Sequence, residues 1–299
     1  MLENLTTEIR NNKTMNLDEM SIMDILTTMN EEDAKVANSV KLEIPQIAKA
    51  VEAIILAKKQ GGRLVYIGAG TSGRIGLLDA VECPPTFGTD LKEIVGLIAG
   101  GEKAFIQAVE GAEDRKELGM QDLKDIYLKH IDVVVGIAAS GRTPYVIGAL
   151  EYANSIGAQT IAISCNKGSI IGEKANIAIE INNGPEVLTG STRLKAGTAQ
   201  KFICNMLSTA SMVGLGKTYG NLMVDVQLTN EKLTERAKHI IMNATDCDYE
   251  TAALYLTQAD NRPKIAIVMI LTGLSKEKAM QRLQETQGFI RQAIKPAKL

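Results

Sequence analysis

The chain has 299 residues, 45% of them apolar, and its 33 Lys and Arg against 35 Asp and Glu leave a formal net charge of −2. At roughly 150 residues per domain, this length supports one or two units with ample core and excludes a disordered or disulfide-stapled chain. The near-neutral balance excludes the dense cationic surface of a sequence-independent nucleic-acid binder.

No polybasic membrane patch is present, and the longest strongly apolar run, around 265–271, is too short to span a bilayer. The first ten residues lack the basic start and apolar middle of a signal peptide, so a soluble cytoplasmic protein without nucleic-acid or membrane partners is expected. Only His130 and His239 are available as imidazole ligands, and Cys83, Cys165, Cys204 and Cys247 form no C-x-x-C pair. A dedicated zinc or iron–sulfur site is therefore not expected, and metal-free catalysis is the starting point. The cysteines read as reduced, packed thiols; Cys83 has no histidine near it in sequence to make it a nucleophile.

In chain order, apolar residues at helical spacing over Leu17–Asn30 predict a helix whose Met-rich stripe packs into a core. Asn30 is placed to cap a second helix starting at Glu31 and Glu32 and running toward Gln60, with a break at Pro45 and a stop at Gly61-Gly62. The period then changes. Strands are predicted at Arg63–Ile67, Ile94–Ala99, Asp132–Ala138, Thr160–Ser164 and Ile177–Ile181. Between them lie helical stretches at Arg74–Glu82, stopping at Pro84-Pro85, and at Glu102–Val109, Arg115–Tyr127 and Pro144–Ser155. Alternating strands and helices imply an α/β fold with a doubly wound parallel sheet. Pro144 suits a first helical position, with Thr143 before it able to supply an N-cap oxygen.

Beyond Ile181 the strand signal fades. A long helix from about Ser191 to Leu215 precedes helices around Glu231–Asn243, Tyr249–Thr257, Lys264–Leu271 and Lys276–Glu285, with Gly273 as a break. This is an all-helical appendage with no Gly/Ser or Pro linker before it, so it is expected to pack on the α/β unit or on a second subunit.

Two short loops carry the chemistry. Gly68-Ala69-Gly70-Thr71-Ser72-Gly73 follows the first strand and satisfies G-x-G-x-x-G, yet the second strand ends in Gly100-Gly101 where a dinucleotide site wants an acidic residue. Arg74-Ile75 also stands where a nucleotide-binding P-loop requires Lys-Ser/Thr. A phosphate monoester fits better, held by backbone N–H groups at a helix start and by the hydroxyls of Thr71 and Ser72, with Gly73 allowing close approach. Ser140-Gly141-Arg142-Thr143 repeats the kit after another strand, so both loops are expected on the ligand edge of the sheet. Either loop alone is also explained by helix capping, and Arg74 and Arg142 either reach phosphate or brace the loops.

The runs Gly68–Arg74, Glu82-Cys83-Pro84-Pro85-Thr86-Phe87-Gly88, Glu110-Gly111-Ala112-Glu113-Asp114-Arg115 and Asn182–Lys195 resemble the N-acetylmuramic acid 6-phosphate etherases, over nearly the whole chain. That family belongs to the sugar isomerase (SIS) domain group, which includes the vertebrate glucokinase regulatory protein; Asn12 departs from the proline usual after Arg-Asn. The resemblance implies an N-terminal helical arm at 1–45, a SIS sugar-phosphate-binding catalytic domain at 46–220 and a C-terminal helical region at 221–299. It implies N-acetylmuramic acid 6-phosphate as substrate, no cofactor, and a homodimer.

The implied reaction eliminates D-lactate from C3 of the ring-opened sugar and adds water back, giving N-acetylglucosamine 6-phosphate. Such a cycle calls for an acid and a base whose carboxyls burial raises toward neutrality. By the resemblance Glu82 is the proton donor to the departing lactate oxygen and Glu113 the second acid/base residue. Glu186 and Lys195 form a third constellation: with Ser191 and Thr192 they touch ligand or stabilise an enolate, or else Ser191 caps the long helix while Lys195 pairs with a surface acid. A non-catalytic sugar-phosphate-binding regulator is the competing function, and an aldose/ketose phosphate isomerase a third.

Overall fold

The computed structural model describes residues 5–107, 109–228 and 230–295. The chain divides into two compact units, one comprising the chain up to Val81 with Lys92–Ser208, the other Glu82–Leu91 with the chain from Thr209 onward.

The first unit begins with two 3-10 turns, Asn12–Thr14 and Leu17–Glu19, then α1 (Ile22–Asp33), α2 (Val36–Lys41) and α3 (Ile44–Lys59). The expected helix at Leu17–Asn30 thus starts later and runs further, and Asn30 lies inside it. Ser21, not Asn30, is the cap, its Oγ accepting the Asp24 N–H at 3.2 Å. Nor is the α1 stripe core: Ile22 and Met23 are 73% exposed and Leu26 57%. Periodicity reports which residues share a face, but not whether the same chain covers it.

Next come β1 (Leu64–Gly68), α4 (Gly70–Phe87), β2 (Ile94–Ile98), α5 (Lys103–Ile106), α6 (Lys116–Asp125), β3 (Val133–Ile137), α7 (Pro144–Ser155), β4 (Gln159–Ser164), α8 (Ile170–Lys174), β5 (Ile177–Glu180) and α9 (Lys195–Gly214). The strands pair in parallel in the order β2-β1-β3-β4-β5, so the sheet is wound both ways from β1, as expected. Both faces are covered. Val65 and Ile67 pack with Leu123, Tyr145, Val146 and Leu150 of α6 and α7. Tyr66 points the opposite way, its hydroxyl donating to Asp79 of α4 at 2.9 Å and to the Cys204 carbonyl of α9 at 3.3 Å. Cys83, Cys165 and Cys204 are buried.

α4 does not stop at Pro84-Pro85 but continues through both to Phe87. The prolines withhold two N–H groups, yet the Thr86 hydroxyl reaches the Glu82 carbonyl at 2.8 Å and the Gly88 N–H reaches that of Pro84 at 2.9 Å. The helix ends at Gly88, whose φ of +62° a residue with a Cβ rarely adopts. The long helix expected from Ser191 starts at Lys195, and α8 lies between the fourth and fifth strands, where the sequence predicts no element.

The second unit holds a short antiparallel hairpin, β6 (Thr218–Tyr219) and β7 (Leu222–Met223), and then α10 (Glu231–Thr245), α11 (Tyr249–Gln258), α12 (Pro263–Thr272), α13 (Lys276–Glu285) and α14 (Ile290–Ala293). Helices α10 to α13 follow the expected spans because their caps are strong local signals, whereas α14 and the hairpin have no counterpart in the expected all-helical appendage. Asn230, Asp248 and Ser275 each accept a first-turn N–H, and Gly273 closes α12 at φ +68°. Ile241, Ala252, Ile267 and Ala279 pack together in their core. Among the described residues no helix is long and apolar enough to cross a membrane.

Candidate active site

The winding of the sheet reverses between β1 and β3, whose carboxyl ends stand level, Gly68 opposite Ile137. In such sheets the crevice at this reversal is where ligands bind, and both hydroxyl-glycine loops leave from it. The first turns at once into α4, with Gly70 at φ +52°. Gly73 faces the end of β1: a Cβ there would stand 2.6 Å from the Gly68 carbonyl oxygen. Its own N–H donates to Ala69 O at 3.1 Å, so Gly73 sets the close helix–strand approach and offers no spare donor. Thr71 is half-buried, whereas the Ser72 hydroxyl turns inward and donates to Gln200 Oε1 of α9 at 3.0 Å.

The second loop is built differently. Gly141, at φ +72°, donates its N–H to Ala138 O, and a Cβ there would lie 2.3 Å from Ser169 Cβ. Thr143 holds the N-cap position of α7 with Pro144 after it, but its side chain makes no capping bond, contrary to expectation. The Tyr145 N–H, in that first turn, donates instead to the Glu113 carbonyl at 3.0 Å. Ser140 and Thr143, both half-buried, keep their hydroxyls on the loop; Ser140 Oγ accepts the Arg142 N–H at 3.4 Å.

Glu113 is thus tied to the second loop by its backbone. It also lines a cavity of about 190 Å³ with Ala69 and Gly70 of the first loop, Arg74 and Glu110. Arg74 braces rather than reaches: its Nε donates to Phe105 O at 3.0 Å and its Nη2 to Ala104 O at 2.7 Å, two carbonyls within the short helix α5. Glu110, which the loop motif did not single out, lines the same space. Glu82 lies in the second unit, on the exposed side of α4. Glu113 is exposed as well, so the burial anticipated for the two carboxyls is not present in the single chain.

Glu186 and Lys195 are engaged internally. Glu186 accepts the N–H groups of Lys195 (3.0 Å) and Ala196 (2.9 Å), capping α9 in place of Ser191. Burial raises its carboxyl above the usual range, although the two N–H groups and Lys195 pull the other way. Lys195 Nζ donates to Asn183 O at 3.0 Å and to Glu32 Oε2 of α1 at 2.8 Å, so its acid is buried and not on the surface. Burial lifts the Cys165 thiol to about 12, with the nearby Glu186 charge adding to it, which leaves it an inert packed group.

Two further residues bear on the loops. Gln200 falls on the buried stripe Ala196–Ala199–Ile203–Leu207 of α9, and a polar residue on an apolar stripe is the one sequence signal it carries. Asn166 accepts the Thr6 N–H at 2.7 Å and donates to Ala139 O at 3.1 Å, tying the N-terminal segment to the second loop. A larger cavity, about 960 Å³, lies in the second unit beside Lys264, Asp225 and Met280 and includes none of the sequence-derived candidates.

Residues 46–154 match the glucokinase regulatory protein N-terminal SIS domain, and residues 114–210 match the SIS domain. An N-acetylmuramic acid 6-phosphate etherase of Bacillus cereus is 62% identical over 98% of this chain and the whole of that one. Another from Bacillus cytotoxicus is 60% identical over the same shares. Among solved structures, a phosphoheptose isomerase from Neisseria gonorrhoeae aligns with a TM-score of 0.49 at 15% identity, over 64% of this chain and 98% of that one. The Vibrio vulnificus NanR protein complexed with ManNAc-6P aligns at 0.47 and 15%, over 64% of each chain.

Proposed function

The chain belongs to the N-acetylmuramic acid 6-phosphate etherase family, and on that premise we propose that it cleaves the D-lactyl ether of this phosphosugar with Glu82 and Glu113 as its acid/base pair. It is an enzyme of amino-sugar catabolism, and its product is N-acetylglucosamine 6-phosphate. The observation that carries the assignment of Glu113 is its position: its backbone is fixed on the first turn of α7, and the residue lines the cavity beside Ala69 and Gly70.

The 6-phosphate sits where α4 and α7 begin, drawn by the positive ends of both helices and by the hydroxyls of Thr71, Ser72, Ser140 and Thr143. Anchoring the phosphate places the open-chain aldehyde, C2 and C3 deeper in the crevice. A base in the crevice takes the C2 proton as the C2=C3 double bond forms and the C3–O bond breaks, and Glu82 gives its proton to the lactate oxygen. Glu113 then takes a proton from water as the oxygen adds to C3, the base returns its proton to C2, and proton exchange with solvent restores Glu82 and Glu113, so the net change is hydrolysis of the ether. Lys195 and Glu186 act one step back, holding the start of α9.

The working form is a cytoplasmic homodimer. The exposed row Ile22, Met23 and Leu26 on α1 supports this, since an apolar stripe of that kind is suited to burial against a second copy.

The test is incubation with N-acetylmuramic acid 6-phosphate in water enriched in oxygen-18. The expected outcome is D-lactate release with the heavy oxygen in the sugar, lost in Glu82→Ala. Binding of the phosphosugar without any lactate would replace the etherase with a sugar-phosphate-binding regulator.

A further inference from the structure

Ser72 and Gln200 form a buried pair with one hydrogen bond too few. The Ser72 hydroxyl donates to Gln200 Oε1 at 3.0 Å; the residues are 7% and 0% exposed. Gln200 Nε2 has no hydrogen-bond partner among the described residues. Buried amide donors are rarely left this way, and each such orphan weakens the fold.

The arrangement bears on what Ser72 can do. A hydroxyl has one proton, and phosphate oxygens are acceptors. While the proton points at Gln200, Ser72 faces any phosphate with lone pairs only. Half a turn of the amide about its last bond places Nε2 where Oε1 stands, and the contact becomes Nε2–H donating to Ser72 Oγ. The serine proton is then released to donate elsewhere. The turn exchanges an orphaned donor for an orphaned acceptor, so neither orientation is strongly favoured in the protein by itself. A phosphate at the loop decides between them, because it turns the released proton into a charge-assisted hydrogen bond. The position of the amide is fixed from behind: Glu186 caps α9 little more than one turn away, and Gly197 lies against the Thr71 methyl, where a Cβ would stand at 3.4 Å.

We propose that Gln200 is a positioning residue for phosphosugar binding, its amide turning on binding so that Ser72 donates to the 6-phosphate. This rests on the reading of Thr71–Gly73 as a phosphate loop and extends it to a residue that touches no substrate.

The test uses the full chain, with N-acetylglucosamine 6-phosphate affinity measured by calorimetry and etherase KM and kcat measured alongside. Gln200→Met keeps length and volume but removes the amide; Gln200→Glu keeps the shape and, measured at a pH where its carboxylate is ionised, only accepts, locking the Ser72 proton inward. Expected are losses of roughly tenfold in phosphosugar affinity for Gln200→Met and more for Gln200→Glu, carried by KM with kcat near the parent value. In a Ser72→Ala background, Gln200→Met should change affinity by less than about twofold, because the two act as one unit. Equal losses in both backgrounds, or a fall in kcat with KM unchanged, would overturn the proposal and leave Gln200 a packing residue. Parent-like phosphosugar affinity in Ser72→Ala would remove the phosphate-loop reading of Ser72 itself. Thermal melts of each variant separate these outcomes from misfolding.

Discussion

Lys195 Nζ lies 2.8 Å from Glu32 Oε2, with the side chains 1% and 4% exposed, so the start of α9 and the end of α1 meet in a buried ion pair. A charge in such surroundings is tolerated only while its partner is present. Glu32→Ala leaves the ammonium with the Asn183 carbonyl alone. Urea unfolding should show a loss of about 3–5 kcal/mol. The double variant Glu32→Leu with Lys195→Met should recover most of it, since apolar replacements of both partners carry no stranded charge.

The same pair sets an acid limb of stability. Burial pushes the Glu32 carboxyl up, but hydrogen bonds and charge from Lys195 and Lys35 outweigh it and hold the group at about 2, against an ordinary 4.5. A group lowered on folding contributes fully above its unfolded value and loses the contribution as pH falls through the folded one. Stability should therefore decline between pH 4.5 and about 2, by on the order of 3 kcal/mol from this group. Guanidinium titrations across that window should show a shallower decline in Glu32→Gln.

Helices α6 and α7 approach at glycines. A Cβ on Gly148 would stand 2.1 Å from the Lys116 carbonyl oxygen, and one on Gly119 would stand 1.9 Å from that of Tyr145. Backbone must move to admit either methyl. Gly148→Ala should destabilise by roughly 2–3 kcal/mol, read as a lowered melting temperature. Because Tyr145 also holds Glu113, activity should fall in Gly119→Ala more than stability alone explains.

Arg74 holds α5 by two carbonyls at once, and a lysine has no planar fork with which to reach both. Arg74→Lys should raise amide exchange over 103–107 and raise KM by about tenfold, because the wall of the Glu113 cavity loosens. An exchange pattern identical to the parent would show that α5 is held by other means.

The apolar row on α1 gives the homodimer a direct check. Replacing Ile22 and Leu26 together by Asp should weaken self-association by at least about 100-fold, seen as a monomer in sedimentation equilibrium. Retention of the dimer would move the interface elsewhere on the chain.

Much of this molecule is legible from local chemistry. Alternation of short apolar strands with helices announces the doubly wound sheet, Pro144 and Gly273 mark their helix ends, and Asn230, Asp248 and Ser275 start theirs, because each acts on backbone within a turn of itself. The two loops could be paired as one ligand edge for the same reason: each follows a strand, and parallel strands deliver their carboxyl ends to one side. Family likeness, carried by unbroken runs such as Glu82–Gly88, then supplied the chemistry that spacing cannot. Long-range partners were decided by the tertiary structure. The Glu186 carboxylate displaced Ser191 as the cap of α9, Glu32 came from α1 to Lys195, Gln200 turned the Ser72 hydroxyl inward, and the α1 stripe was left outside. Each depends on groups far apart in the chain arriving within about 3 Å, where hydrogen bonds and desolvation act, and no periodicity in the sequence encodes that meeting.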